Sequence, residues 1–487
     1  MKIQGFPELE WINVKEPLTL EKLKGHVILL DFFTYCCINC LHTNNETKYL
    51  EEKFKDEPFI VIGVHCAKFA NEKIKENIIK AIQRLEIKHP VVIDNDFLVW
   101  KQYGVRVWPT FLLIGTDGEI VGMASGEGNL EVIEQSIEKA LAIGKETGMI
   151  AQKKIETQPV ADDQRFLDFP SKLFIDKPNK IMYLSDSGNN RILEIDITAF
   201  NKGRVKRIIG SKAKGFKNGT FDKAMLNKPQ GLYLDNDKLY ICDSENHSIR
   251  VADLKKEKLT TILGDGTKAR WGDARGETLN SPWDIHKSSD TFFIAMAGSH
   301  QIWRMDAKSL RVRPFIGNGR EQLVDGNSRK SQLAQPSGLA SDGRDLFFAD
   351  SESSAIRKVN MNSGLVKTIA GKGLFIYGYR DGKIEEALFQ HPKGIYFENG
   401  IIYVADTFND SIRIINMSKK VVQTLISSKD PRLCSIDEKS KAGPIHEPND
   451  VFRFGAYLYI ADTNNHLVRV LDIKKRTLHD FEIESQK

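Results

Sequence analysis

The chain has 487 residues, of which 41% are hydrophobic and 28% charged, with 36 Gly and 16 Pro; this supports more than one folded core and excludes a disordered or fibrous chain. Its net charge of +5 divides unevenly, with 17 Lys/Arg against 22 Asp/Glu in residues 1–150 and 53 against 43 in the rest, a basic bias that permits an RNA partner without arguing for one. The N-terminus lacks an apolar leader and the longest apolar runs, 27–30 and 111–114, are too short to cross a bilayer, so a cytoplasmic protein with no membrane association is expected.

Strands and helical patterns alternate through residues 1–143. The run 27–33 is apolar except for Asp31, as in a parallel strand buried on both faces. A helical stretch over 37–55 follows, then a strand at 59–65, a Lys/Glu-rich helix at 71–85 and a strand at 90–93. A helix at 98–103, strands at 110–115 and 119–123 around a Thr-Asp-Gly turn, and a helix at 130–143 complete an α/β sandwich. Gly144, Gly148 and Pro159 mark 144–165 as a linker.

From residue 166 onward the chain repeats. A Pro-x-Gly-like corner precedes an apolar run ending in Asp, then a polar turn and a strand carrying Ile-Arg. The key Asp falls at Asp243, Asp350, Asp406 and Asp462, with a degenerate copy at Asp186 and a substituted one at Ala297. Four short strands can be drawn in each copy, and six copies make a six-bladed β-propeller. The final strand, near 477–483, is expected to complete its own blade, so that closure needs no strand from the far end. Residues recurring in every blade read as structural, with the Asp series paired to Arg250, Arg357 and Arg413. Function is then expected where copies differ, in the third blade, where Trp271, Trp283, His286, His300 and Trp303 are candidates for a binding rim.

Three of the six cysteines, Cys36, Cys37 and Cys40, lie where the strand 27–33 gives way to a helix. A thiol at a helix N-terminus faces unpaired N–H groups and the positive end of the dipole, which favours thiolate, and a second Cys three residues on lies one turn away. Cys37 is therefore the candidate nucleophile and Cys40 the resolving thiol. Cys36 is read as a free thiol or auxiliary resolver, with a strained disulfide to Cys37 as the alternative. With His42 or His65 the cluster could also hold a soft metal, but no second ligand cluster accompanies it and no metal or cofactor is expected. Cys66 and Cys242 read as core thiols, and no role follows for Cys434.

The segment 1–143 resembles thioredoxin-like domains of the thiol-disulfide oxidoreductase type, through LLDFF before the cysteines, EKFKDEPFIVIGVH and YGVRVWPTFLLIGTDGEIVG. That resemblance implies that Pro109 is cis and flanks the redox pair, and that Asp31 is the buried acid beneath Cys40, acting as its base. Cys36 and Ile38-Asn39 depart from the family's usual aromatic and Gly-Pro. Residues 170–484 resemble NHL repeats, and the whole chain resembles the thioredoxin-like members of the NHL-repeat-containing protein family, whose larger members carry a further C-terminal β domain for which no room is left. The implied function is disulfide exchange at Cys37/Cys40, with the propeller presenting a protein disulfide substrate or protein ligand. The rival reading is a non-catalytic scaffold for protein or RNA with a redox-silent thioredoxin-like module.

Overall fold

The chain divides into two units, Met1–Gln164 and Arg165–Lys487. A computed structural model describes residues 2–161, 165–269 and 278–485. In the first unit, β1 (Trp11–Ile12), α1 (Leu20–Leu23), β2 (Val27–Phe33), α2 (Ile38–Lys53), β3 (Phe59–His65), α3 (Lys75–Leu85), β4 (Val91–Ile93), α4 (Leu98–Gln102), β5 (Thr110–Ile114), β6 (Ile120–Ser125) and α5 (Leu130–Glu146) follow in order. They form one sheet in the order β1-β4-β3-β2-β5-β6. The β2, β3 and β4 strands run parallel, while β5 is antiparallel to β2. Every residue of β2 is buried, because the strand feeds two cores: Ile28, Leu30 and Phe32 into one, Val27 and Leu29 into the other with Leu50 of α2 and Ile137 of α5. This is the α/β thioredoxin-like arrangement expected.

Two local differences concern the helices. The segment expected as one helix from 71 begins with a short 3-10 turn at Asn71–Lys73, and extended backbone at Ile74 separates it from α3. Glu72 in that turn points inward, its carboxylate accepting the N–H groups of Lys68 and Phe69. The expected linker is also largely docked: α5 runs to Glu146, Ala151 N–H donates to Gly25 O, and Gln158 N–H and Val160 N–H donate to Asn13. Backbone satisfaction rather than composition holds this polar stretch against the first unit.

The second unit contains six sheets of four or five strands, the six blades of a propeller. The repeated signature has a physical explanation. In the second blade, Asp243 at the end of its strand accepts from Arg250, Asn246 and the backbone N–H of Asn227. Asp350/Arg357, Asp406/Arg413 and Asp462/Arg469 repeat the buried pair, as does Asp186/Arg191 in the first blade. The hydroxyl after each Asp ties its blade to the next: Ser187, Ser244, Ser351, Thr407 and Thr463 donate to the carbonyls of Pro229, Pro282, Pro392, Pro448 and Pro170.

Register corrects the reading of the third blade. Pro282 pairs with Met296 as Pro229 pairs with Asp243, so Met296, not Ala297, replaces the Asp. Ala297 replaces the Ser/Thr, and Trp303 takes the place of Arg250. The ion pair has become an apolar one, Met296 and Trp303 sharing a core cluster.

The ring closes in two ways. His466 Nδ1 accepts the N–H of Phe169, the sixth instance of a contact made at each earlier blade junction by Asn190, His247, His300, Ser354 and Asp410. Thr477–Asp480 completes the sixth blade as expected, but Glu482–Glu484 then pairs in parallel with Lys202–Arg204 on the first blade. A strand from the far end therefore does join the first blade, seated by buried Phe481 and by Glu484 with Lys202 and Arg204. Deleting residues 481–487 is expected to destabilise the propeller by about 2 kcal/mol, the burial of one Phe, read as a lower urea midpoint in β-sheet circular dichroism; an unchanged midpoint would show the strand to be dispensable.

Candidate thiol site

The site grows from the end of β2. Its last residues pair with β5, Phe32 opposite Thr110, so Pro109, preceded by a cis Trp108–Pro109 bond, lies at the same sheet end as the cysteines. After Phe33 the chain turns through Thr34 and Tyr35, and α2 starts at Ile38 with Cys37 as its N-cap. The Cys37 side chain makes no cap hydrogen bond and the first turn holds no acidic residue, so the positive end of the helix dipole lies at the position of Cys37 without a compensating carboxylate in that turn. Cys37 is half-buried, whereas Cys36 and Cys40 are buried.

Cys40 follows one turn later. Burial pushes its thiol well up, and hydrogen bonding with Cys37 pushes further in the same direction, with the Asp31 charge a smaller contribution. Asp31 lies in mid-β2, 5% exposed, its Oδ1 without a hydrogen-bond partner. Burial raises its carboxyl to about 7, with His89 opposing and Glu46 and Glu51 reinforcing the rise. A half-buried thiol at a helix start, a protonated thiol behind it and a carboxyl close to neutrality can support nucleophilic attack followed by base-assisted resolution.

Cys36 is held differently. Its N–H donates to Glu72 Oε1 at 3.0 Å, and the same oxygen accepts from Thr34 Oγ1 at 2.6 Å. Glu72 thereby fastens the cysteine turn to the 3-10 turn, a role the sequence conceals because this carboxylate sits in a Lys/Glu-rich stretch that reads as a solvated face. His42 is 2.6 Å from Glu127 Oε1, and His65 is enclosed by Phe33 and stacked on Tyr35. Burial lowers His65 to about 3. Among the described residues no group of three His, Cys, Asp or Glu side chains is arranged to hold a metal.

A thioredoxin-like family profile matches residues 25–120 and an NHL-repeat profile residues 226–252. The chain is 37% identical over 498 residues to the Arabidopsis thaliana protein SUPPRESSOR OF QUENCHING 1, chloroplastic, covering 97% of this chain and 47% of that protein. It is 35% identical over 518 residues to human NHL repeat-containing protein 2, covering 98% of this chain and 71% of the human one. The chain belongs to the NHL repeat-containing protein 2 family. It spans about half the length of the plant relative. Over the first unit it is also similar to the thiol-disulfide oxidoreductase ResA of Halalkalibacterium halodurans, 28% identical over 123 residues, 25% of this chain and 67% of that protein.

The described rim candidates have different surroundings. Trp303 is a core residue, 2% exposed, its Nε1 donating to Gln301 Oε1. His300 is one of the six junction contacts, Nδ1 accepting from Gln335 N–H. His286 is half-buried with Nε2 2.9 Å from Ser341 Oγ, and burial lowers it to about 4. Trp283 is half-buried beneath the ammonium of Lys393, 5.6 Å from the ring centroid. Trp271 lies outside the described residues.

The propeller axis holds a cluster that the repeats alone did not suggest. At the third position of the Pro-x-Gly-like corners, three blades have Gly231, Gly338 and Gly394, and three have Lys172, Asp284 and Asp450. A Cβ on Gly394 would come within 2.5 Å of Asp450 Cα, so crowding around the axis leaves no room for a side chain at that corner. Buried Lys172 lies 3.3 Å from Asp284 and 3.7 Å from Asp450. The visible signal was the departure from Gly in these three copies. No helix among the described residues is long and apolar enough to cross a membrane.

Proposed function

We propose that the protein is a thiol-disulfide oxidoreductase in which Cys37 attacks a substrate disulfide and Cys40 resolves the mixed disulfide, with Asp31 as the base for Cys40. The observation that carries the reading is the N-cap position of the half-buried Cys37, backed one turn later by buried Cys40 and by a carboxyl raised to about 7. Pro109 borders the substrate approach, and Cys36, fastened through Glu72, is an auxiliary thiol rather than the nucleophile. The propeller binds the protein that carries the disulfide, and the reaction takes place in the cytoplasm, where a reducing pool returns the pair to thiols. The likeness to ResA and to NHL repeat-containing protein 2 supports this reading at the level of the domains they share.

Reduction of insulin by the wild-type chain with dithiothreitol as reductant, set beside Cys37→Ser, tests it. Turnover is expected to disappear in Cys37→Ser, and Cys40→Ser is expected to accumulate a mixed disulfide on Cys37 visible as a mass adduct. Iodoacetamide is further expected to label Cys37 ahead of Cys66, Cys242 and Cys434. Insulin reduction by Cys37→Ser at the wild-type rate would remove the reading in favour of a scaffold.

A further inference from the structure

The base assigned to Cys40 is enclosed, and a proton that reaches it needs a way out. On the face of the sheet covered by α2, Asp31 of β2 stands opposite Gly63 of β3. A Cβ on Gly63 would lie 2.9 Å from Phe33 Cε1, 3.2 Å from Val91 Cγ2 and 3.3 Å from Nε2 of His89, so the missing side chain leaves room for all three, the imidazole among them on the face that carries Asp31. His89 is 3% exposed, and its backbone is held by Asn13, whose Nδ2 donates to the carbonyls of His89 and Ile87. Its Nδ1 lies 3.2 Å from Oε2 of Glu51 on α2, a side chain that is 29% exposed. Asp31 Oδ1, His89 Nε2 and, despite its ion-pair distance to Glu51, His89 Nδ1 have no aligned hydrogen-bond partner. The charged and titratable groups facing Asp31 are therefore His89 before β4, and Cys40, Glu46 and Glu51 on α2.

We propose that His89 and Glu51 relay the proton between Asp31 and solvent, a step that rests on the exchange reading above. Cys40 gives its proton to the Asp31 carboxylate, and its thiolate attacks Cys37 Sγ. The Cys37–Cys40 bond forms, the bond from Cys37 to the substrate sulfur breaks, and the electron pair leaves with the substrate thiolate. Asp31 then passes the proton to Nε2 of neutral His89 as Nδ1 releases one to Glu51, which delivers it to water. When an external dithiol reduces the pair again, Cys40 regains a proton along the reverse path and the imidazole returns to its starting tautomer. Both residues act through Asp31 and touch no substrate.

The test uses the reduced full chain and 5,5′-dithiobis(2-nitrobenzoate) in stopped flow. Attack by Cys37 releases one chromophore; resolution by Cys40 releases a second in a phase absent from Cys40→Ser. His89→Gln and Glu51→Gln are expected to leave the first phase unchanged and to slow the second by about tenfold or more. The second phase rises with pH as Asp31 ionises. Its midpoint is expected to move downward in Glu51→Gln, which removes a charge reinforcing the raised Asp31, a displacement that a packing role would not produce. If His89→Gln fails to fold, the more exposed Glu51→Gln decides alone. A second phase with wild-type rate and midpoint in the folded variants would overturn the relay, whereas its absence from the wild type would overturn the exchange reading itself.

Discussion

Replacing Arg413 by methionine is expected to lower the stability of the propeller by about 3–5 kcal/mol, the cost of leaving a buried ionic partner uncompensated. Arg413 is fully buried and spends its donors on Asp406, on Asp381 and on the carbonyls of Leu388 and Arg380. Removing it strands Asp406, which burial already pushes upward even with the guanidinium in place, and releases the loop whose carbonyls it gathers. The third blade shows what an accommodated loss looks like, since Met296 and Trp303 change both partners together and leave no charge behind. The double variant Asp406→Met with Arg413→Trp is accordingly expected to recover part of the loss. The measurement is the urea midpoint of the β-sheet signal, followed separately from the first unit because two units need not unfold together. A single variant within about 0.5 kcal/mol of wild type, the range of ordinary surface substitutions, would show that the pair contributes little beyond filling space.

The same comparison explains what could be read from the chain beforehand. Six copies of a corner and an apolar run, five of them ending in Asp, were visible because those five must satisfy the same buried hydrogen bonds, and that requirement fixes residue types at fixed spacing. The third blade was misaligned by one residue because Ala297 and Gly298 resemble the small residues of the other turns, while the replacement of charge by apolar volume at Met296 and Trp303 leaves no polar signal. Reading difference as function then placed His300 and Trp303 on a rim, although one is a junction contact and the other core. In the first unit the cysteine cluster and Asp31 stood out by chemical type against an apolar strand. Glu72, His89 and Glu51 did not, because a carboxylate among lysines or a histidine before a strand acquires its meaning only when the chain folds it beside Cys36 or Asp31. The final strand was missed for a similar reason: its partner, Lys202–Arg204, is nearly 280 residues away.

Asp31→Asn is expected to stabilise the first unit at pH 8 and to leave it nearly unchanged at pH 4. The sign follows from the carboxyl's two environments. In the unfolded chain it titrates near 3.8, and in the folded chain burial moves it to about 7. Below about pH 4 both states carry the proton and the aspartate costs nothing by this route. Above about pH 7 both are ionised and the fold bears the whole difference, so this residue's contribution to stability falls as pH rises through the interval. An interval from 3.8 to about 7 corresponds to about 4 kcal/mol as an upper bound, reduced where His89 moves closer to the ionised form. The asparagine keeps the volume and carries no charge, so comparing variant with wild type at each pH cancels other groups, among them His65, which titrates lower. Resolution by Cys40 is expected to slow in the same variant while attack by Cys37 persists, because only the second step hands a proton to Asp31. Gain of stability together with loss of resolution would mean that the fold carries a destabilising carboxyl for the sake of its chemistry. An equal stability difference at pH 4 and pH 8, with resolution unchanged, would instead make Asp31 a polar residue whose charge the protein never uses, and would leave Cys40 without a base.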